Sequence, residues 1–274
     1  MASGFKKTLK TAVLAVFGLA FAGRAEAQTY VINADEAGVD RRGIYTRALI
    51  EQALVRTTAK YGPAELRVDA ERYSRLRLIQ TVEKGDRISL AVLPSNPGLE
   101  TRLLPIKVDL ADGLLGQRVS LIREQDAVRF AAVEAPNDLK KFVAGAGADW
   151  EIALRFKKMG VTVLEAGDYE ALFPMLVRGR FDHLSRSVME VIAEYDTHKV
   201  GLPELAVEPR LLIETDMPLY AFLSPSAVGL RPRLQEGLEM LAADGTIRQT
   251  VRTQFARDIS ELNVSQRRRI RLPE

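Results

Sequence analysis

An α/β protein of two lobes is predicted by three features of this sequence. Short apolar runs alternate with longer amphipathic ones, the pattern of strands packed beneath crossover helices. The alternation runs once from Tyr30 to Leu93, is broken by Pro94 and Pro97, and restarts after Pro136. Cysteine is absent from all 274 residues, so a hydrophobic core must hold the chain together.

Residues 1–27 read as a cleavable secretory signal. Lys6, Lys7 and Lys10 precede an uncharged apolar run from Thr11 to Gly23, and Ala25-Glu26-Ala27 places small residues for a cut before Gln28. The run is too short for a membrane span, which takes about 20 apolar residues. The leader holds Lys6, Lys7, Lys10 and Arg24 against Glu26, the same +3 as the whole chain, so residues 28–274 are neutral. A neutral mature chain gives no reason to expect nucleic acid or an anionic membrane as partner. The basic run Arg267-Arg268-Arg269-Ile270-Arg271 reads as a solvated tail.

Tyr30-Val31-Ile32 is the first expected strand. Helical spacing of Tyr45, Leu49 and Ala53, with Ile50 and Leu54, predicts a helix from Ile44 to about Tyr61, stopped by Gly62-Pro63. Leu66-Arg67-Val68 is a second strand, Arg75 to Val82 a second helix closed by Gly85, and Ile88 to Leu93 a third strand. Strand, helix, strand, helix, strand implies parallel pairing with right-handed crossovers. In the second unit Phe142-Val143-Ala144 reads as a strand and Gly145 to Gly147 as a turn. Asp149 is placed to cap a helix carrying Ile152, Phe156 and Met159, ended by Gly160. Val161 to Leu164 follows as a strand and Glu170 to Val177 as a short helix. Two C-terminal helices meet at Asp244-Gly245, the second with Ile247, Val251 and Phe255 on one face.

Three segments give the chain a resemblance to a known family. Asp138 to Gly147 resembles the pattern D-L-x-G-K-x-V-x-V-x-x-G, Leu172 to Asp182 resembles L-x-x-G-R-x-D, and Leu219 to Phe222 with Leu238 to Phe255 resembles a return strand and closing helices. In this order they resemble the bacterial periplasmic solute-binding proteins of the amino-acid type. That resemblance implies the type II periplasmic binding protein fold, an α/β architecture with a ligand cleft between two lobes. Lobe 1 is expected over residues 28–121 plus 222–274, and lobe 2 over 122–221. Closure about a hinge around a small solute is what such a build does.

The same resemblance nominates ligand-binding residues. Arg102, in the Ser95 to Arg102 stretch, stands near where the family's arginine binds a ligand carboxylate, and its planar fork of donors suits that task. Pairing of Arg102 with Glu100 is the alternative. Asp149 lies where the family binds ligand at a helix N-terminus, but an aspartate can cap that terminus itself. The family's amino-group-binding aspartate falls near Ser187, and here Arg186-Ser187 replaces it. A cation in that place disfavours an α-ammonium and favours a second acidic group, unless Arg186 faces solvent or pairs with Glu190. The family's aromatic residue after the first strand has no counterpart in Asp35-Glu36-Ala37-Gly38.

The expected function is capture of a small, anionic solute between Arg102 and Arg186, as a monomer serving a membrane permease or a sensor in the periplasm. No cofactor or metal is implied, since His183 and His198 are the only histidines and neither has ligand spacing around it. A lyase-like enzyme on the same fold is an alternative, with Glu36 and Asp182 as available acids or bases. A structural or assembly factor with a vestigial cleft is another.

Overall fold

The computed structural model describes residues 1, 27–34 and 42–273. The expected leader cut, most of the leader, the segment Asp35-Glu36-Ala37-Gly38 and hence Glu36 lie outside the described residues or at their edge. The chain begins with β1 (Gln28–Asn33), α1 (Arg42–Arg56), α2 (Thr58–Tyr61), β2 (Ala64–Asp69), α3 (Arg75–Lys84), β3 (Leu90–Pro94), α4 (Pro97–Arg102) and β4 (Leu104–Ile106). It continues through β5 (Gln117–Arg123), α5 (Ala127–Phe130), β6 (Val143–Gly147), α6 (Glu151–Lys158), β7 (Thr162–Ala166) and α7 (Leu172–Val177). Next come β8 (His183–Ser187), α8 (Val191–His198), β9 (Leu205–Val207) and β10 (Leu211–Glu214). It closes with β11 (Leu219–Leu223), α9 (Arg231–Ala243), α10 (Thr246–Gln254), α11 (Ala256–Glu261) and β12 (Arg268–Arg271).

These strands form two sheets, one in the order β2-β1-β3-β11-β4 and one in the order β12-β10-β5-β8-β6-β7, with β9 also on β5. The expected parallel pairing holds for β1 with β2 and β3, and for β6 with β7 and β8. The strands that return the chain are antiparallel: β11 on β3 and β4, and β5 on β8, β9 and β10. Among the described residues the chain passes between the sheets three times, before β5, before β11 and before β12.

Period-two burial explains why the first sheet is covered on both faces. Leu90 of β3 joins Tyr30 and Ile32 in the cluster that contains Leu49 and Ile50 of α1 and Leu234 and Leu238 of α9. Ala91 and Leu93 point the other way, into a smaller cluster with Leu78, Ile79 and Val82 of α3 and Leu99 of α4. In the second sheet the whole of β8 is buried, with Phe156 of α6 edge-on to His183 and Phe173 of α7 stacked on His198. Ile247, Val251 and Phe255 are all buried, as their spacing predicts.

Several local expectations are corrected. The long first helix breaks at Thr57, whose hydroxyl donates back to Ala53 O at 2.9 Å and competes with the helical ladder. Gly145 to Gly147 is not a turn but the second half of β6, where a Cβ on Gly145 would come within 2.3 Å of the Phe181 ring. The C-terminal arginines are not a solvated tail: β12 pairs with β10, burying Ile270 and Leu272. Arg267 anchors it by donating to the carbonyls of Leu262 (2.6 Å), Glu208 (2.6 Å) and Leu211 (3.0 Å). Strand β12 thus stands in the second sheet, although residues 222–274 were expected in the first lobe.

Candidate functional site

The groups where the two sheet units meet come from six places. Arg42 opens α1 in the first unit, and Asn96 caps α4 by accepting from Leu99 N at 2.8 Å. Arg118 lies at the start of β5, Arg186 and Ser187 end β8, and Glu190 and Glu194 belong to the turn and first part of α8. Trp150 and Glu151 stand at the start of α6.

At the centre is a buried ionic cluster. Arg186 forks onto Glu194, with Nε at 2.7 Å from Oε2 and Nη2 at 2.6 Å from Oε1, and Nη2 also reaches Glu190 Oε1 at 3.0 Å. Its guanidinium lies 4.2 Å from the Trp150 ring centroid and 5.9 Å from that of Tyr169, whose hydroxyl donates to Glu194 at 2.8 Å. A Cβ on Gly147 would collide with the Trp150 ring at 2.4 Å, so glycine there is what lets the indole lie against β6. From the first unit, Arg42 Nη1 reaches Glu190 Oε1 at 3.0 Å. Burial pushes the Glu190 carboxyl up, but Arg186, Arg42 and Arg118 more than offset it and leave it well below the ordinary range. Arg186 is likewise disfavoured as a cation by burial and more than restored by Glu190 and Glu194.

Arg118 is different. It is 3% exposed, and its guanidinium donates to neutral acceptors: Ser185 O at 2.7 Å, Ser185 Oγ at 3.3 Å and Leu115 O at 3.4 Å, with Met217 Sδ at 3.7 Å. Burial pulls its pKa down to about 10; Glu190 acts to raise it, and the neighbouring Arg186 and Arg42 add to the lowering. Among the described residues the cluster brings Arg42, Arg118 and Arg186 to Glu190 and Glu194.

A second contact joins the units at Glu151. The Asn96 side chain hydrogen-bonds this carboxyl, and Arg155 Nε lies 3.4 Å from its Oε1, while its Oε2 is buried without a partner. Burial pushes the Glu151 carboxyl up.

The residues expected to hold ligand fall in different places. Arg102 ends α4 and forks onto Glu83 of α3, Nη2 to Oε2 at 2.6 Å and Nε to Oε1 at 3.3 Å, not onto Glu100. Glu100 instead accepts from Ser95 Oγ at 2.7 Å and pairs with Lys107 at 2.6 Å. Ser187 is fully buried, with its N–H on Glu190 at 3.0 Å and its hydroxyl on Leu114 O at 3.1 Å. Asp149 is exposed at φ 62°, and Trp150, not Asp149, is the N-cap of α6, with no side-chain bond to the helix. Aspartate tolerates the left-handed region, and there it no longer stands where its side chain caps the helix. Of the expected residues, Arg186 stands inside the cluster by its side chain and Ser187 meets it through its backbone N–H on Glu190. Sequence reading missed Arg118, although an arginine inside the otherwise buried run Val119-Ser120-Leu121-Ile122 is a signal in itself.

No family model matches the sequence, and no curated protein matches it. Solved structures do. An ancestral arginine-binding protein bound to arginine aligns over 83% of this chain and 98% of its own, with a TM-score of 0.57 at 13% identity. A structure from a study of glutathione import by way of GshT and the cystine ABC importer TcyBC of Streptococcus mutans gives 0.59 at 10% identity, over 84% and 96%. A histidine kinase sensor domain with similarity to periplasmic binding proteins gives 0.57 at 13%, over 84% and 96%. Among the described residues no helix is long and apolar enough to cross a membrane. The chain has the two-lobed α/β fold of the amino-acid ABC-transporter substrate-binding proteins, the fold that its sequence motifs resemble.

Proposed function

We propose that the seam between the lobes captures a small solute with an anionic group, for a membrane transporter or a sensor in the periplasm. The setting of Arg118 carries this reading. Its buried guanidinium donates only to neutral acceptors, and a buried guanidinium without a direct counter-charge is costly. A carboxylate or phosphate beside Arg118 would supply that counter-charge. The enzyme alternative is weakened at Asp182, which is engaged by Val143 N (2.8 Å), Arg123 (3.1 Å) and Arg129 (2.9 Å) and is held below the ordinary range despite its burial.

A second reading, a structural factor with a self-satisfied seam, is favoured by the contacts Arg42–Glu190 and Asn96–Glu151. A thermal-shift screen of residues 28–274 against amino acids, dicarboxylates and phosphate esters separates the two. A ligand at a hundred times its Kd adds about 2.7 kcal/mol, a rise of roughly 5–10 °C for a chain of this size. Anionic solutes are expected to give that rise, and Arg118→Met to abolish it. A screen in which no solute shifts the transition leaves the structural reading standing and removes ours.

A further inference from the structure

A groove of about 580 Å³ lies on the second unit, lined by residues of the 3-10 turn Pro136–Lys141, by Met159 after α6, and by the residues ending and following β12. Pro136, Met159, Leu272 and Pro273 make its walls apolar, and Lys140 and Arg271 add two cations. Its size falls within the range of small-molecule pockets, roughly 300–1,000 Å³.

The walls are fixed by contacts that have no part in the seam. Leu272 N donates to Glu214 O at 2.8 Å, which holds the chain end against β10. Asp138 accepts from Glu134 N at 3.1 Å and Ala135 N at 3.0 Å, which holds the turn that carries Pro136. The Lys140 side chain passes over Gly160, its Cε 3.7 Å from where a Cβ would stand. Among the described residues the side chains of Lys140 and Arg271 have no hydrogen bond or ion pair, whereas their neighbours Lys141 and Arg268 are paired with Asp138 and Glu134. Two uncommitted cations beside an apolar, pre-formed groove match a molecule that is apolar over its length and anionic at one end.

We propose that this groove binds an aliphatic carboxylate, its chain along Pro136, Met159 and Pro273 and its anionic head between Lys140 and Arg271. Isothermal titration of residues 28–274 with decanoate, kept below its micelle concentration, tests this. Decanoate is expected to bind at least about tenfold more tightly than decanol, which lacks the charge, and than butyrate, which lacks the chain. The exposed double change Lys140→Gln with Arg271→Gln is expected to weaken decanoate by about tenfold or more, as is Met159→Glu, while Arg118→Met at the seam leaves it unchanged. No binding of decanoate at millimolar concentration overturns the assignment, as does equal binding by the double variant. Loss of binding on Arg118→Met places the carboxylate in the seam and overturns it as well.

Discussion

His183 makes the second sheet sensitive to acid, by an amount that its surroundings fix. The imidazole is fully buried on β8, edge-on to Phe130 and Phe156 at 5.7 and 5.5 Å. One ring nitrogen meets Ser120 Oγ at 3.1 Å and the other has no partner. Burial lowers its pKa from 6.5 to about 4, with Asp182 acting weakly in the opposite sense. The unfolded chain therefore binds a proton that the folded chain refuses between those two values, and stability falls as pH drops through 6.5 toward 4. Between pH 7.5 and 4.5 the loss from this one group is about 2–3 kcal/mol. Urea unfolding at the two pH values, on the natural protein and on His183→Phe, isolates it, because every other group is common to both. Phenylalanine keeps an aromatic ring between Phe130 and Phe156, and the lost Ser120 bond costs the same at either pH. The natural protein is expected to lose about 2–3 kcal/mol more than the variant over this interval. Equal losses in the two proteins refute the argument and mean that the buried imidazole accepts its proton.

Three further outcomes follow from the geometry. Arg186→Ala leaves Glu194 and Glu190 buried without their guanidinium and is expected to cost about 3–5 kcal/mol in urea unfolding, whereas Arg102→Ala, on a half-exposed pair, costs less than about 1 kcal/mol; equal costs contradict the contrast. Gly145→Ala forces a methyl against the Phe181 ring and is expected to lower stability by about 1–3 kcal/mol, which a denaturation midpoint unchanged from the natural protein would exclude. Protein recovered from the periplasm is expected to begin at Gln28, and intact-mass measurement showing Met1 retained removes the leader from the argument.

The layers were legible because burial imposes a period on the chain. Tyr30 to Ile32, Leu66 to Val68, Ile88 to Leu93 and Val161 to Leu164 each mark a strand to within a few residues, and the Asp244-Gly245 break between α9 and α10 was visible as written. Strands β5, β8, β9 and β10 were not, since β5 and β8 carry arginines, serines and a histidine whose partners are far along the chain. The site was less legible for the same reason. The chemistry of Arg102 and Arg186 suits a ligand carboxylate, but a guanidinium's role depends on which carboxylate of the chain reaches it. Glu83 stands 19 residues before Arg102, and Glu194 stands 8 after Arg186, beyond the single helical turn that reaches Glu190. The fate of the C-terminal arginines turned on the alternation of Ile270 and Leu272, a two-residue signal overshadowed by four charges.

The pairing of β12 with β10 has a consequence for measurement. Strand β1 belongs to the first sheet and β12 to the second, so the two ends of the folded region ride on different lobes. A donor fluorophore ahead of Gln28 and an acceptor after β12 therefore report the separation of the lobes directly, with no label placed inside either one. The same wiring gives the second lobe three covalent tethers to the first instead of two. A solute that draws the lobes together would be read as a shortening of that one distance.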